Sequence, residues 1–171
     1  MEARSTAKTK KLCFMAVLTA IALTIFMIEN QLPSPVPIPG IKLGLANIIT
    51  LTAMAILGRK EAGAILAARI IMGAIFAGSP STFIYSAAGG ILAYIVMCVT
   101  IGLFKENQLW IVSALAAIAH NAGQLGACAL IVKTPGIFAY APILAASGVI
   151  TGVFTGFAAI YLIRAVKKLK L

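Results

Sequence analysis

Long apolar stretches follow one another from Leu12 to Ile163, separated by short polar turns that hold most of the charge. The chain has 171 residues, 61% of them hydrophobic, with a mean hydropathy of +1.05. Soluble domains are only ~45–50% apolar, and a chain of this size has too little interior to hide the excess from water. Lipid is the solvent such a pattern requires. A hydrocarbon interior offers backbone N–H and C=O groups no partner, so each stretch must satisfy its own as a helix. A crossing takes about 20 mostly apolar residues. The expected fold is an all-α integral membrane protein with about six transmembrane helices.

The turns divide the chain. The first span runs from about Leu12 to Ile28 and ends at Glu29-Asn30-Gln31. It is too long for a signal-peptide core and no small-residue cleavage site follows it, so it reads as a retained helix. Pro33, Pro35, Pro37 and Pro39 then forbid helix and predict an extended loop, the longest connection between spans. Further spans are expected at about 42–57, 62–77, 82–104 and 109–132. A sixth begins near Ile137 or Ala141 and ends at Ile163. Three regions result: a basic segment 1–11, read as frayed or lying on the membrane surface, a transmembrane domain 12–163, and a basic tail 164–171.

Charge fixes an expected orientation. There is no Asp, and the acids are Glu2, Glu29, Glu61 and Glu106, against 14 Lys and Arg, for a net charge of +10. Nucleic acid is not the partner this implies, because the basic residues lie at the ends of apolar segments rather than on one soluble face. With the N-terminus inside, Arg4, Lys8, Lys10, Lys11, Arg59, Lys60, Lys105, Arg164, Lys167, Lys168 and Lys170 fall on the inner side. Only Lys42 and Lys133 fall outside. By the positive-inside rule both termini are cytoplasmic and the proline-rich loop faces outward. Cys13, Cys98 and Cys128 show no metal or disulfide spacing and read as small hydrophobes. Gly148, Gly152 and Gly156 form a small-residue stripe at helical spacing, suited to close packing within the chain or against another chain.

Polar side chains inside spans are costly, which makes each a functional candidate. At ~1.5 Å per residue, Asn47 lies ~7 Å below the outer end of its span. Arg69 falls near mid-membrane, Tyr85 and Ser86 within about two turns of the outer surface, His120 and Asn121 near mid-depth, and Gln124 outward of them. Together with Lys42 these residues gather in the outer half, with Glu29, Ser79 and Ser81 at its rim, over an apolar inner half. That asymmetry describes a pocket open to the outside rather than a pore. His120 and Gln124 share a helix face, with Asn121 about 100° away. Arg69 cannot lose its proton and needs a carboxylate, for which Glu29 is the one candidate in the outer half, or carbonyls, water or an anionic ligand. Lys42 either snorkels to the interface or joins the site.

Three stretches carry a resemblance: Pro39-Gly40-Ile41-Lys42-Leu43-Gly44-Leu45-Ala46-Asn47, Phe83-Ile84-Tyr85-Ser86-Ala87-Ala88-Gly89-Gly90 and Ala119-His120-Asn121-Ala122-Gly123-Gln124-Leu125. They resemble the bacterial membrane family labelled heptaprenyl diphosphate synthase component I, or Gx transporter. That family looks like a branch of the substrate-binding (S) components of energy-coupling factor transporters. The resemblance covers essentially everything after residue 10. It implies an S-component bundle in the bacterial inner membrane, with a small-molecule substrate held near the outer face under the first extracellular loop. It also implies a membrane scaffold partner driven by two ATPases and docked through small residues on the first helix, which Ala16 and Ala20 match.

The enzymatic half of that label fails on chemistry. Magnesium and diphosphate need several carboxylate oxygens; the chain has no Asp and no pair of acids on one face. It has no phosphate-binding loop of the Walker type either, so any ATP-driven work belongs to partners. The expectation is a non-catalytic binder without a cofactor or metal, capturing an anionic or amphipathic metabolite such as a vitamin, a flavin or an isoprenoid or quinone precursor. The rival readings are a membrane anchor for a prenyl synthase or redox assembly, and a solitary facilitator.

Overall fold

The computed structural model describes residues 2–32 and 42–168, all helical apart from turns. The proline-rich segment, with the start of the first resemblance motif, and the last three residues lie outside the described residues. Six α-helices follow in order: α1 (Glu2–Glu29), α2 (Asn47–Ile56), α3 (Arg59–Ala77), α4 (Pro80–Thr100), α5 (Leu109–Val132) and α6 (Ala141–Lys168). Four segments are long and apolar enough to cross a membrane, at Lys8–Glu29, Pro80–Leu103, Glu106–Val132 and Gly136–Lys168. Large apolar side chains such as Leu12, Ile75, Leu103, Leu130, Ile150 and Phe154 are exposed around the outside. The chain is a multi-pass membrane protein.

Two elements differ from the sequence expectation. α1 begins at Glu2, so residues 2–11 continue the first helix instead of fraying. Lys11 explains part of this. Its ammonium pairs with Glu61 in the first turn of α3, and the hydrogen bond it donates holds that carboxyl below the usual range. The second span was expected from Lys42 to Leu57, yet α2 occupies only Asn47–Ile56. Ten residues rise about 15 Å, half of a ~30 Å hydrocarbon core. The remainder of that column is irregular chain, 42–46, which turns on Gly44 at φ 78°.

Boundaries follow local chemistry. α3 stops at Gly78 in the left-handed conformation, whose N–H donates to the carbonyls of Ala74 and Ile75. Pro80 opens α4 at a position where its missing N–H costs nothing. The Lys11–Glu61 and Lys167–Glu106 pairs, with the Tyr94 hydroxyl donating to the Arg59 carbonyl (2.8 Å), gather both chain ends and the basic turns at one end of the bundle.

The tightest seam joins α5 and α6. A Cβ at Gly152 would stand 2.5 Å from Ala114 Cα, and one at Gly156 would stand 2.4 Å from Trp110 Cα. The small-residue stripe is therefore spent on contact within the chain. Across the same seam the hydroxyls of Ser113 and Thr155 meet at 2.9 Å. The main apolar core, including Leu18, Ile49, Leu51, Ile65, Met97, Val112 and Ile163, fills the end that carries the basic turns. A smaller cluster of Tyr85, Leu125, Cys128, Ile137 and Leu144 lies towards the other end.

Candidate functional site: a cationic recess

Between these cores lies a recess of about 240 Å3, counting its open mouth. α1 supplies Phe26 and Glu29, the irregular chain Lys42 and Gly44, α3 Arg69, α4 Thr82 and Ser86, and α5 His120 and Gln124. It opens at the end opposite the basic turns.

Glu29 is 5% exposed, and its hydrogen bonds come from the backbone. Its Oε1 accepts the Gly44 N–H and its Oε2 accepts the Leu45 N–H at 3.1 Å. Both oxygens accept at the positive entry of α2, where a negative charge is favoured. This carboxylate was one of the partners the sequence left open to Arg69; the described residues show no ion pair between them.

Arg69 is 3% exposed. Its Nη1 donates to Ser86 Oγ at 3.2 Å, while Nε and Nη2 are buried without a partner among the described residues. Lys42 donates its backbone N–H to Gln124 Oε1 (3.0 Å), and its Nζ is likewise buried and unpartnered among the described residues. Nζ stands 3.8 Å from the centre of the Phe26 ring, with the Arg69 guanidinium carbon 5.6 Å from it. A ring face attracts a desolvated cation by ~2 kcal/mol, far less than two buried charges lose in leaving water. Phe26 itself rests on Gly73, where a Cβ would come within 2.7 Å of the ring.

His120 is held from three sides. Asn47 Nδ2 lies 3.3 Å from its Nδ1. Gly44 and Gly89 lie against the ring, and a Cβ on them would approach Cδ2 to 2.9 Å and Cε1 to 2.8 Å. Among the described residues no three of His, Cys, Asp and Glu come together as a metal would need.

Of the residues expected at the site, Lys42, Arg69, Ser86, His120 and Gln124 line one recess, and Asn47 braces His120 from behind. Asn121 and Tyr85 point elsewhere. The Asn121 amide donates to the Leu144 carbonyl (2.7 Å) at the α6 interface, and the Tyr85 hydroxyl lies 3.7 Å from Cys128 Sγ within the smaller core. Depth placed these two at the right level; facing decided against them. Phe26 and Thr82 were missed, since a Phe one turn before Glu29 reads as ordinary core. Ala16 and Ala20 are exposed on α1, away from the recess.

Comparison with known proteins adds one finding to this geometry. No curated protein and no solved structure matches the chain. A family model described as heptaprenyl diphosphate synthase component I does match, over residues 18–162. That stretch takes in at least part of every helix and every residue of the recess, and the chain belongs to the heptaprenyl diphosphate synthase component I family.

Proposed function

We propose that the chain is the substrate-binding component of an importer of the energy-coupling factor type, capturing a small anionic or amphipathic metabolite from outside a bacterial inner membrane. One observation carries the reading: Arg69 is buried and Lys42 half-buried in a shared recess, with three of their donor atoms unpartnered among the described residues, while both oxygens of the nearby carboxylate accept backbone N–H groups. Two cations stand against the single charge of Glu29, and a buried charge in excess costs several kcal/mol; an anion arriving from solution removes that cost on binding. The chain does no chemistry of its own in this scheme. Both termini face the cytoplasm, so the recess opens outward.

The exposed Ala16–Ala20 face of α1 is the docking surface for a membrane scaffold with its ATPases. Small residues there let another helix approach closely.

The test is purification in lipid nanodiscs followed by mass spectrometry of retained small molecules. Wild-type protein retains a ligand, and Arg69→Ala and His120→Ala lose it while remaining folded. Retention by both variants would refute the site. A second reading follows from the family's own description, which names one component of a synthase: a non-catalytic membrane anchor for a soluble prenyl synthase. Co-purification with an ATPase pair favours the importer, and with a soluble Asp-rich synthase the anchor. Ala16→Leu with Ala20→Leu abolishes the ATPase association and leaves ligand retention intact.

A further inference from the structure

We propose that the group bound by Arg69 and Lys42 is a single carboxylate, and that phosphate and diphosphate esters are excluded from the recess. This rests on the recess being a ligand site, and narrows its ligand by charge and donor geometry.

Charge comes first. The recess holds two cations, Lys42 and Arg69, and one anion, Glu29, a net of +1. One carboxylate brings it to zero. A phosphate monoester carries about −1.5 to −2 at neutral pH and leaves a surplus negative charge; a diphosphate leaves more. Surplus charge inside an apolar bundle is penalised steeply.

Donor geometry agrees. Ser86 takes Nη1 of Arg69 and leaves Nε and Nη2, the two donors along one planar edge of the guanidinium. That edge matches the two oxygens of a carboxylate with parallel N–H···O bonds, and Lys42 Nζ supplies a third contact. A phosphate wants more donors, and the usual source is the set of free N–H groups at a helix N-terminus. Here the N–H groups of Gly44 and Leu45, entering α2, are already taken by Glu29. The carboxylate that fills the phosphate seat also repels a phosphate, with its charge of about −1.5 to −2, more strongly than a singly charged carboxylate.

The experiment uses full-length protein in phosphatidylcholine nanodiscs with three probes: benzoate labelled with 13C at its carboxyl, inorganic phosphate and pyrophosphate. Binding is read by 13C and 31P line broadening and by thermal shift. Benzoate binds, phosphate and pyrophosphate bind at least tenfold more weakly, and Arg69→Lys, which keeps the charge but loses the planar edge, weakens benzoate about tenfold or more. Lys42→Met does the same, and the melting curves of both variants establish that they are folded. Tighter binding of phosphate or pyrophosphate overturns the carboxylate assignment and leaves an anion site standing. Failure of all three probes overturns the assignment and the anion-binding reading together. Benzoate binding undiminished in both variants places the anion elsewhere and overturns the proposal.

Discussion

Replacing Glu29 by Gln tests the junction on which the recess is built. The wild-type carboxylate accepts two backbone N–H groups, from Gly44 and Leu45, in a buried setting. A hydrogen bond to a charged group contributes about 1.5–3 kcal/mol. Gln keeps one carbonyl oxygen and turns an NH2 group towards the other backbone donor, so one bond is lost outright and the survivor loses its charge. The expected destabilisation is about 2–4 kcal/mol. It acts in the same direction as the loss of the negative charge beside Lys42 and Arg69. At this chain length each kcal/mol moves the midpoint by about 2–4 °C, which gives a fall of about 4–16 °C. The assay is thermal melting of wild type, Glu29→Gln and Glu61→Gln in one detergent at one heating rate. Glu61→Gln breaks an exposed pair with Lys11 and moves little. A Glu29→Gln midpoint no lower than that of Glu61→Gln would refute the reasoning.

Other substitutions separate the recess from its supports. Gly44→Ala puts a side chain at φ 78° and a Cβ 2.9 Å from His120 Cδ2; it costs about 1–3 kcal/mol, read as a lower midpoint with weaker anion binding. Gly156→Val drives a side chain into the Trp110 backbone. Overpacking of this kind costs about 1–3 kcal/mol or more, read as a lost monodisperse peak in size exclusion. Asn121→Ala removes the bond to the Leu144 carbonyl and lowers the midpoint by the equivalent of about 1–3 kcal/mol, while benzoate affinity stays within about twofold. Tyr85→Phe loses only a weak 3.7 Å contact to Cys128 and leaves both melting and anion binding near wild type.

How much of this was legible depended on which physical rule a residue obeyed. The apolar stretches and their polar breaks announced six helices because lipid permits little else. Arithmetic along each span brought Arg69, Ser86, His120 and Gln124 to one level, and they do meet. Facing was harder. Rise per residue says how deep Asn121 lies, whereas its partner, the Leu144 carbonyl, depends on how α6 crosses α5. The halving of the second span was hidden as well. Lys42 to Asn47 reads as an apolar helix start, and its irregular course depends on a carboxylate 15 positions away in sequence, between Glu29 and Gly44. The role of Phe26 was invisible for a related reason, because a ring becomes a cation platform only once Gly73 seats it and Lys42 arrives above it.

The half-length α2 has a mechanical consequence. Non-helical backbone at membrane depth survives only where protein satisfies it, and here part of that duty falls on the last residue of α1. The first helix and the turn before α2 are thereby yoked: a rigid tilt of α1 pulls on residues 44 and 45, and with them on the rim that carries Lys42. A force applied along the exposed flank of α1, far from the mouth, reaches the recess through one side chain.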